Sequence, residues 1–171
     1  MADIGTRIDE SKNWFEKAAQ HLPGYRGYKE KELRREADKI QRLYVAERLE
    51  GCRHKLEEVM LDLTRRTDLE PMDDLDITLR KLRTVRDRIQ FADYGYAGLF
   101  DTVKVDEPIL DQLYQYDVQA QEQARSIEDL ANALSADSPS LHSDIGLLDE
   151  RVDALDAYFT EREHVITGAG R

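Results

Sequence analysis

One cysteine, Cys52, stands in the whole sequence, so neither an intrachain disulfide nor a cysteine-rich zinc site can form. Proline and glycine are also scarce, 4 and 9 in 171 residues, which excludes a collagen-like repeat and a many-turned β architecture. No apolar run approaches the ~20 residues that a membrane-crossing helix needs. No hydrophobic signal segment follows Met1, and the expectation is a soluble, cytoplasmic chain. What remains is abundant charge: 36% of residues are Asp, Glu, Lys or Arg, where a globular domain carries about a quarter. The length suits one domain, expected over residues 1–167, with residues 168–171 as a frayed tail.

The formal net charge of −11 is unevenly spread. Up to Glu70, 15 basic residues balance 15 acidic ones, whereas from Phe91 to Arg171 there are 5 basic and 17 acidic. Basic clusters occur at Arg26–Arg42 and Arg80–Arg88. The simplest expectation is that exposed ion pairs lace an acidic pair of helices to a neutral region, each contributing a few tenths of a kcal/mol. An electropositive end facing an anionic partner is the competing reading.

Apolar spacing predicts about five helices and no strand, because no segment alternates with period two for long. The first runs from about Asp3 to Leu22, with Ile4, Ile8, Phe15, Ala18 and Leu22 on one face, and ends at Pro23. The second, about Tyr28 to Arg66, carries Leu33, Ala37, Ile40 and Tyr44, then Val45, Leu49, Cys52, Leu56, Val59 and Leu63 one step round. Gly51 is its expected point of bending. The third follows Pro71 through Met72, Leu75, Leu79, Leu82, Val85 and Ile89. The fourth starts near Asp106 and uses Leu110, Leu113, Tyr116, Ala120, Ala124, Ile127, Ala131 and Leu134. The fifth, with Ser138 as cap and Pro139 at its first helical position, shows an almost strict heptad from Leu141 through Phe159 to Arg162. The fold class is therefore all-α: an antiparallel helical bundle or elongated coiled-coil-like hairpins.

Two joints stand out. Residues 23–28 and 94–100 hold four of the eight tyrosines and four of the nine glycines, and up-and-down connectivity brings both joints to one end of the bundle. Their rings can plug that end, satisfying helix termini through their hydroxyls. Alternatively they form a recognition surface made of Tyr25, Arg26, Tyr28, Lys29, Arg34, Arg35, Tyr94, Tyr96, Phe100 and Lys104.

Catalytic constellations do not assemble along the sequence. A bundled di-metal site needs a Glu-x-x-His pair on two helices, and only Glu161 and His164 have that spacing. Cys52 sits on the apolar stripe, and His54, two residues on, faces elsewhere on a helix. Gly95-Tyr96-Ala97-Gly98 lacks the Lys-Ser/Thr of a phosphate-binding loop. Asp73, Asp74 and Asp76 lack the glycine and distal glutamate of a calcium loop and suit a helix N-terminus instead. Asp117 lies near the fourth stripe; if buried it needs a partner, a tyrosine hydroxyl or a basic residue of the second or third helix. No metal or cofactor is expected. Net charge opposes nucleic-acid binding at long range.

Leu22-Pro23-Gly24-Tyr25-Arg26-Gly27-Tyr28-Lys29, Lys31-Glu32-Leu33-Arg34-Arg35, and Tyr94-Gly95-Tyr96-Ala97-Gly98-Leu99-Phe100-Asp101 through Val103-Lys104-Val105-Asp106 are distinctive. With the closing Leu155–Ile166 segment, they resemble an all-helical family of prokaryotic proteins without an established activity. The resemblance implies a cytoplasmic helical protein with no catalytic residues to carry over. The functional expectation is a non-catalytic interaction or scaffold protein that binds a protein partner or itself. The alternative is a peripheral membrane or anionic-ligand module using the Tyr/Gly end.

Overall fold

A computed structural model describes residues 31–92 and 107–168. Within them lie four helices, α1 (Lys31–Arg66), α2 (Glu70–Phe91), α3 (Glu107–Ala133) and α4 (Leu141–Gly168), and no strand. The all-helical expectation holds. The segment expected as a first helix, 3–22, lies outside the described residues, as do residues 169–171. α4 continues through Gly168, one residue into the stretch expected to fray.

Helix ends follow from local chemistry. Thr67 leaves α1 with φ 59. The Asp68 amide donates to the Leu63 carbonyl at 3.1 Å and the Thr67 amide to Thr64 at 3.2 Å, the paired bonds of a Schellman turn. α2 then opens with Pro71 in its first turn and Glu70 and Asp73 near its positive end. α4 begins two residues later than Pro139: the Asp144 amide donates to the Ser140 carbonyl at 2.9 Å, which puts Ser140 at the cap position in place of Ser138, whose hydroxyl accepts the Ser140 amide at 3.3 Å. The Ser140 hydroxyl in turn donates to Asp144 at 2.7 Å. α1 is one continuous helix through Gly51, which helix propensity alone marks as its weakest point.

The core is a set of heptads. Val45, Leu49, Cys52, Leu56, Val59 and Leu63 of α1 are buried, as are Leu75, Leu82, Val85 and Ile89 of α2. α3 contributes Ala120, Ala124, Ile127 and Ala131, the turn after it Leu134, and α4 Leu141, Ile145, Leu148, Val152, Leu155 and Phe159. Alternating steps of three and four residues keep each stripe facing its partners, the condition for knobs-into-holes packing. Alanines at three core positions of α3 let its backbone approach closely, while the leucines opposite fill the space.

Each helix touches two others: α1 packs on α2 and α3, and α4 packs on α2 and α3. The hydrogen bond of Gln41 to Asp117 and the ion pairs of Arg48 with Glu128 and Arg66 with Asp137 advance together along α1, α3 and the turn that follows, so these two helices run parallel. Thr78 with Asp149 and Arg88 with Asp156 make α2 and α4 parallel likewise. The ring order is thus α1, α2, α4, α3, with α2 and α3 on diagonal corners. Antiparallel packing holds within each hairpin, and the two hairpins lie side by side in the same direction. Both turns, at 67–69 and 134–140, share one end. The start of α1, the end of α2 and the start of α3 share the other, so both Tyr/Gly segments attach there.

Candidate functional site

At the Tyr/Gly end the heptad stripes turn polar. Arg42 precedes Val45 on the α1 stripe, Asp117 precedes Ala120 on α3, and Arg162 follows Phe159 on α4. All three are buried, at 1%, 8% and 3% exposure. The stripe of α1 therefore passes through Gln41 and Arg42, both buried, where apolar spacing had pointed to Ile40 and Tyr44, both only half-buried. Leu33 and Ala37 lie among residues whose side chains are outside the description.

The polar side chains meet one another. Arg162 donates Nε and Nη2 to Asp117 Oδ1, at 3.1 and 3.0 Å. Gln41 Nε2 donates to the Asp117 backbone carbonyl at 2.7 Å, and Gln121 Nε2 donates to Gln41 Oε1 at 2.6 Å. Arg42 reaches the last turn of α2, donating Nη1 to the carbonyls of Ile89 at 3.4 Å and Gln90 at 3.3 Å. Those carbonyls lack partners within their own helix, so a guanidinium from a neighbouring helix caps α2 from the side. Below this layer Tyr116 and Tyr158 tilt against each other with ring centroids 4.9 Å apart. Burial, with Tyr116 and Asp117 nearby, pushes the Tyr158 hydroxyl up to about 12.

Asp117 thus has Arg162 of the last helix as a partner, a helix that the expectation of a tyrosine or a base of α1 or α2 did not include. Chemically the layer joins α3 to α4 by a charge-assisted pair, α1 to α3 by neutral amide hydrogen bonds, and the end of α2 to α1 through the Arg42 guanidinium. Its carboxylate is held by a guanidinium and its amides bond in a chain, an arrangement that fixes helix register.

Of the residues expected to form a recognition surface, Tyr25, Arg26, Tyr28, Lys29, Tyr94, Tyr96, Phe100 and Lys104 lie outside the described residues. Arg34 and Arg35 are in the first turns of α1, with side chains outside the description. Cys52 is buried among core leucines, and desolvation pushes its thiol up to about 12, far from the thiolate that nucleophilic chemistry needs. His54 faces solvent on the same helix beside Glu50 and Glu57. Among the described residues no three His, Cys, Asp or Glu side chains gather as a metal-binding group, and no helix is long and apolar enough to cross a membrane.

Ion pairing outside the core is uneven. On the α1–α2 seam Arg53 bridges Glu50 and Glu57, with Arg86 3.4 Å from Glu50 and Arg83 3.6 Å from Glu57. Arg53 foremost holds the Glu50 carboxyl below its ordinary value. On the α2–α4 seam Lys81 reaches Asp149 at 2.7 Å and Asp153 at 2.8 Å. Arg88 there reaches Asp156 at 2.5 Å and Glu163 at 3.2 Å. The α1–α3 seam has Arg48 on Glu128, with its guanidinium 4.8 Å from the Tyr44 ring centre. The basic cluster at 80–88 is therefore divided among the acids of α4, those of α1 and, through Arg80 with Asp76 and Arg86 with Asp87, those of its own helix. Compared with protein-family models, curated proteins and solved structures, the chain matches none.

Proposed function

We propose that this chain is a non-catalytic interaction protein whose helical bundle acts by binding other proteins, itself included. The observation that carries the reading is the division of charge. Basic residues of α1 and α2 are largely spent within the bundle. On the outer faces of α3 and α4, Glu122, Asp129 and Glu150 are exposed and pair with no other described residue. A rigid heptad-packed body with unspent charge on one hairpin suits recognition of a partner surface. Light scattering of the eluting protein across a range of concentration and salt tests the self-binding part, with association expected at low salt. Cross-linking in cell extract, read out as cross-linked residues, tests the rest. A strictly monomeric chain whose cross-links are confined to itself overturns the reading.

A further inference from the structure

Exposed or half-exposed ion pairs lace three of the four seams between neighbouring helices, whereas the one ion pair described between α3 and α4, Arg162 with Asp117, is buried in the core. Along the α3–α4 seam, heptad register places Gln123 and Leu130 on the flank that follows Tyr116, and Arg151 on the flank that follows Tyr158. Just outside these flanks stand Leu147 and Ala154. Among the described residues no ion pair crosses this flank. Its floor is Leu130 and Tyr158, half-buried and packed on the core, and Leu147 beside it is 40% exposed. Gln123 Oε1 is buried there without a hydrogen-bond partner. Around the strip stand Glu122, Asp129, Glu150 and Glu161, all exposed, against the single base Arg151.

α2 shows what fits such a surface. It lays an apolar stripe against α4 while Lys81 and Arg88 reach carboxylates on the flank of that helix. The geometry points to the α3–α4 seam as a docking groove for a basic amphipathic helix of another protein: apolar residues at helical spacing over Leu130, Leu147 and Tyr158, with lysine or arginine on both sides. Charge separates this occupant from the chain's own segment 3–22, whose four acids and three bases bring no positive excess to an acidic rim. The inference rests on the interaction reading above and names its surface and the class of its partner.

The test uses the full chain and a fluorescent synthetic helix with leucines at heptad spacing and lysines flanking them. Binding is expected, weakening as salt rises, and a peptide with glutamates in place of the lysines should not bind. Leu147→Asp and Glu150→Lys, both at exposed positions, should each weaken binding about tenfold, while Leu61→Asp on the outer face of α1 should leave it unchanged. Binding that survives Leu147→Asp, or that Leu61→Asp abolishes equally, overturns the groove. Intramolecular cross-links from Lys12 or Lys17 to Glu150 overturn it by placing the chain's own segment there. Self-association through this seam overturns the assignment of the occupant. Association mapped to another face removes the groove and leaves the broader interaction reading standing.

Discussion

Arg162 and Asp117 form an ion pair inside a helical bundle, with two guanidinium nitrogens 3.0 and 3.1 Å from one carboxylate oxygen. Both occupy heptad positions that a coiled coil ordinarily fills with leucine or isoleucine. Removing one member strands the other in the core. Asp117→Ala is expected to cost about 3–5 kcal/mol, and the paired replacement Asp117→Leu/Arg162→Met to recover most of that. Urea denaturation of the single and double variants measures the difference.

Thr67 sits at φ 59, where a β-branched residue is strained and glycine is at ease. Thr67→Gly should keep both Schellman bonds and raise stability by about 1 kcal/mol. An unchanged or lowered denaturation midpoint would show that the threonine side chain contributes something glycine cannot supply.

Gly51 and Gly146 lie inside helices, and a methyl group added at either meets no atom within 4 Å. Alanine at each should stabilise by about 0.5–1 kcal/mol through a less disordered unfolded chain. The two effects should add, since the positions share no neighbour. Thermal melts of the single variants and the pair provide the check.

The Cys52 thiol, pushed up to about 12 by desolvation, gives an alkaline prediction. A thiol raised in the folded state contributes stability that is fully present below its unfolded value. That contribution is lost as pH climbs toward the folded value. Stability should therefore fall between about pH 9 and pH 12. Cys52→Ala should make the fall shallower without removing it, because the Tyr158 hydroxyl is raised in the same direction. At pH 8 iodoacetamide should modify Cys52 only after unfolding, which mass spectrometry of native and denatured samples would show.

Much of the fold is legible in the sequence because apolar heptads leave a one-dimensional trace. Leu141 to Phe159 could be read straight off, and Arg162 stood in line with them. The N-terminal half of α1 could not be read the same way. There the core positions are Gln41 and Arg42, and a reader following apolar residues steps aside onto Ile40 and Tyr44. Their only signal is spacing, three and four residues before Val45. Nor does a heptad say which corner of a bundle a helix takes, so spacing alone does not show that α4 brings Arg162 beside Asp117. The expected surface at the Tyr/Gly joints rested on composition, and most of its residues fall outside those described here. The outer flank of the α3–α4 seam leaves no such trace: among the described residues no ion pair crosses it at the surface, which shows only once neighbours are known.

The parallel setting of the two hairpins has an electrical consequence. In a bundle whose neighbours all run antiparallel, the dipoles of adjacent helices cancel at every edge. Here α1 and α3 point the same way side by side, as do α2 and α4, so each end of the molecule carries a positive edge and a negative edge. At the turn end the negative edge bears Arg65 and Arg66, and the positive one bears Glu70, Asp73 and Asp144. Asp74 lies 3.1 Å from His142 across that positive edge. Side-chain charge thus opposes backbone polarity at the α1 terminus and along the positive edge, so the charges that flank this end offset the helix dipoles there.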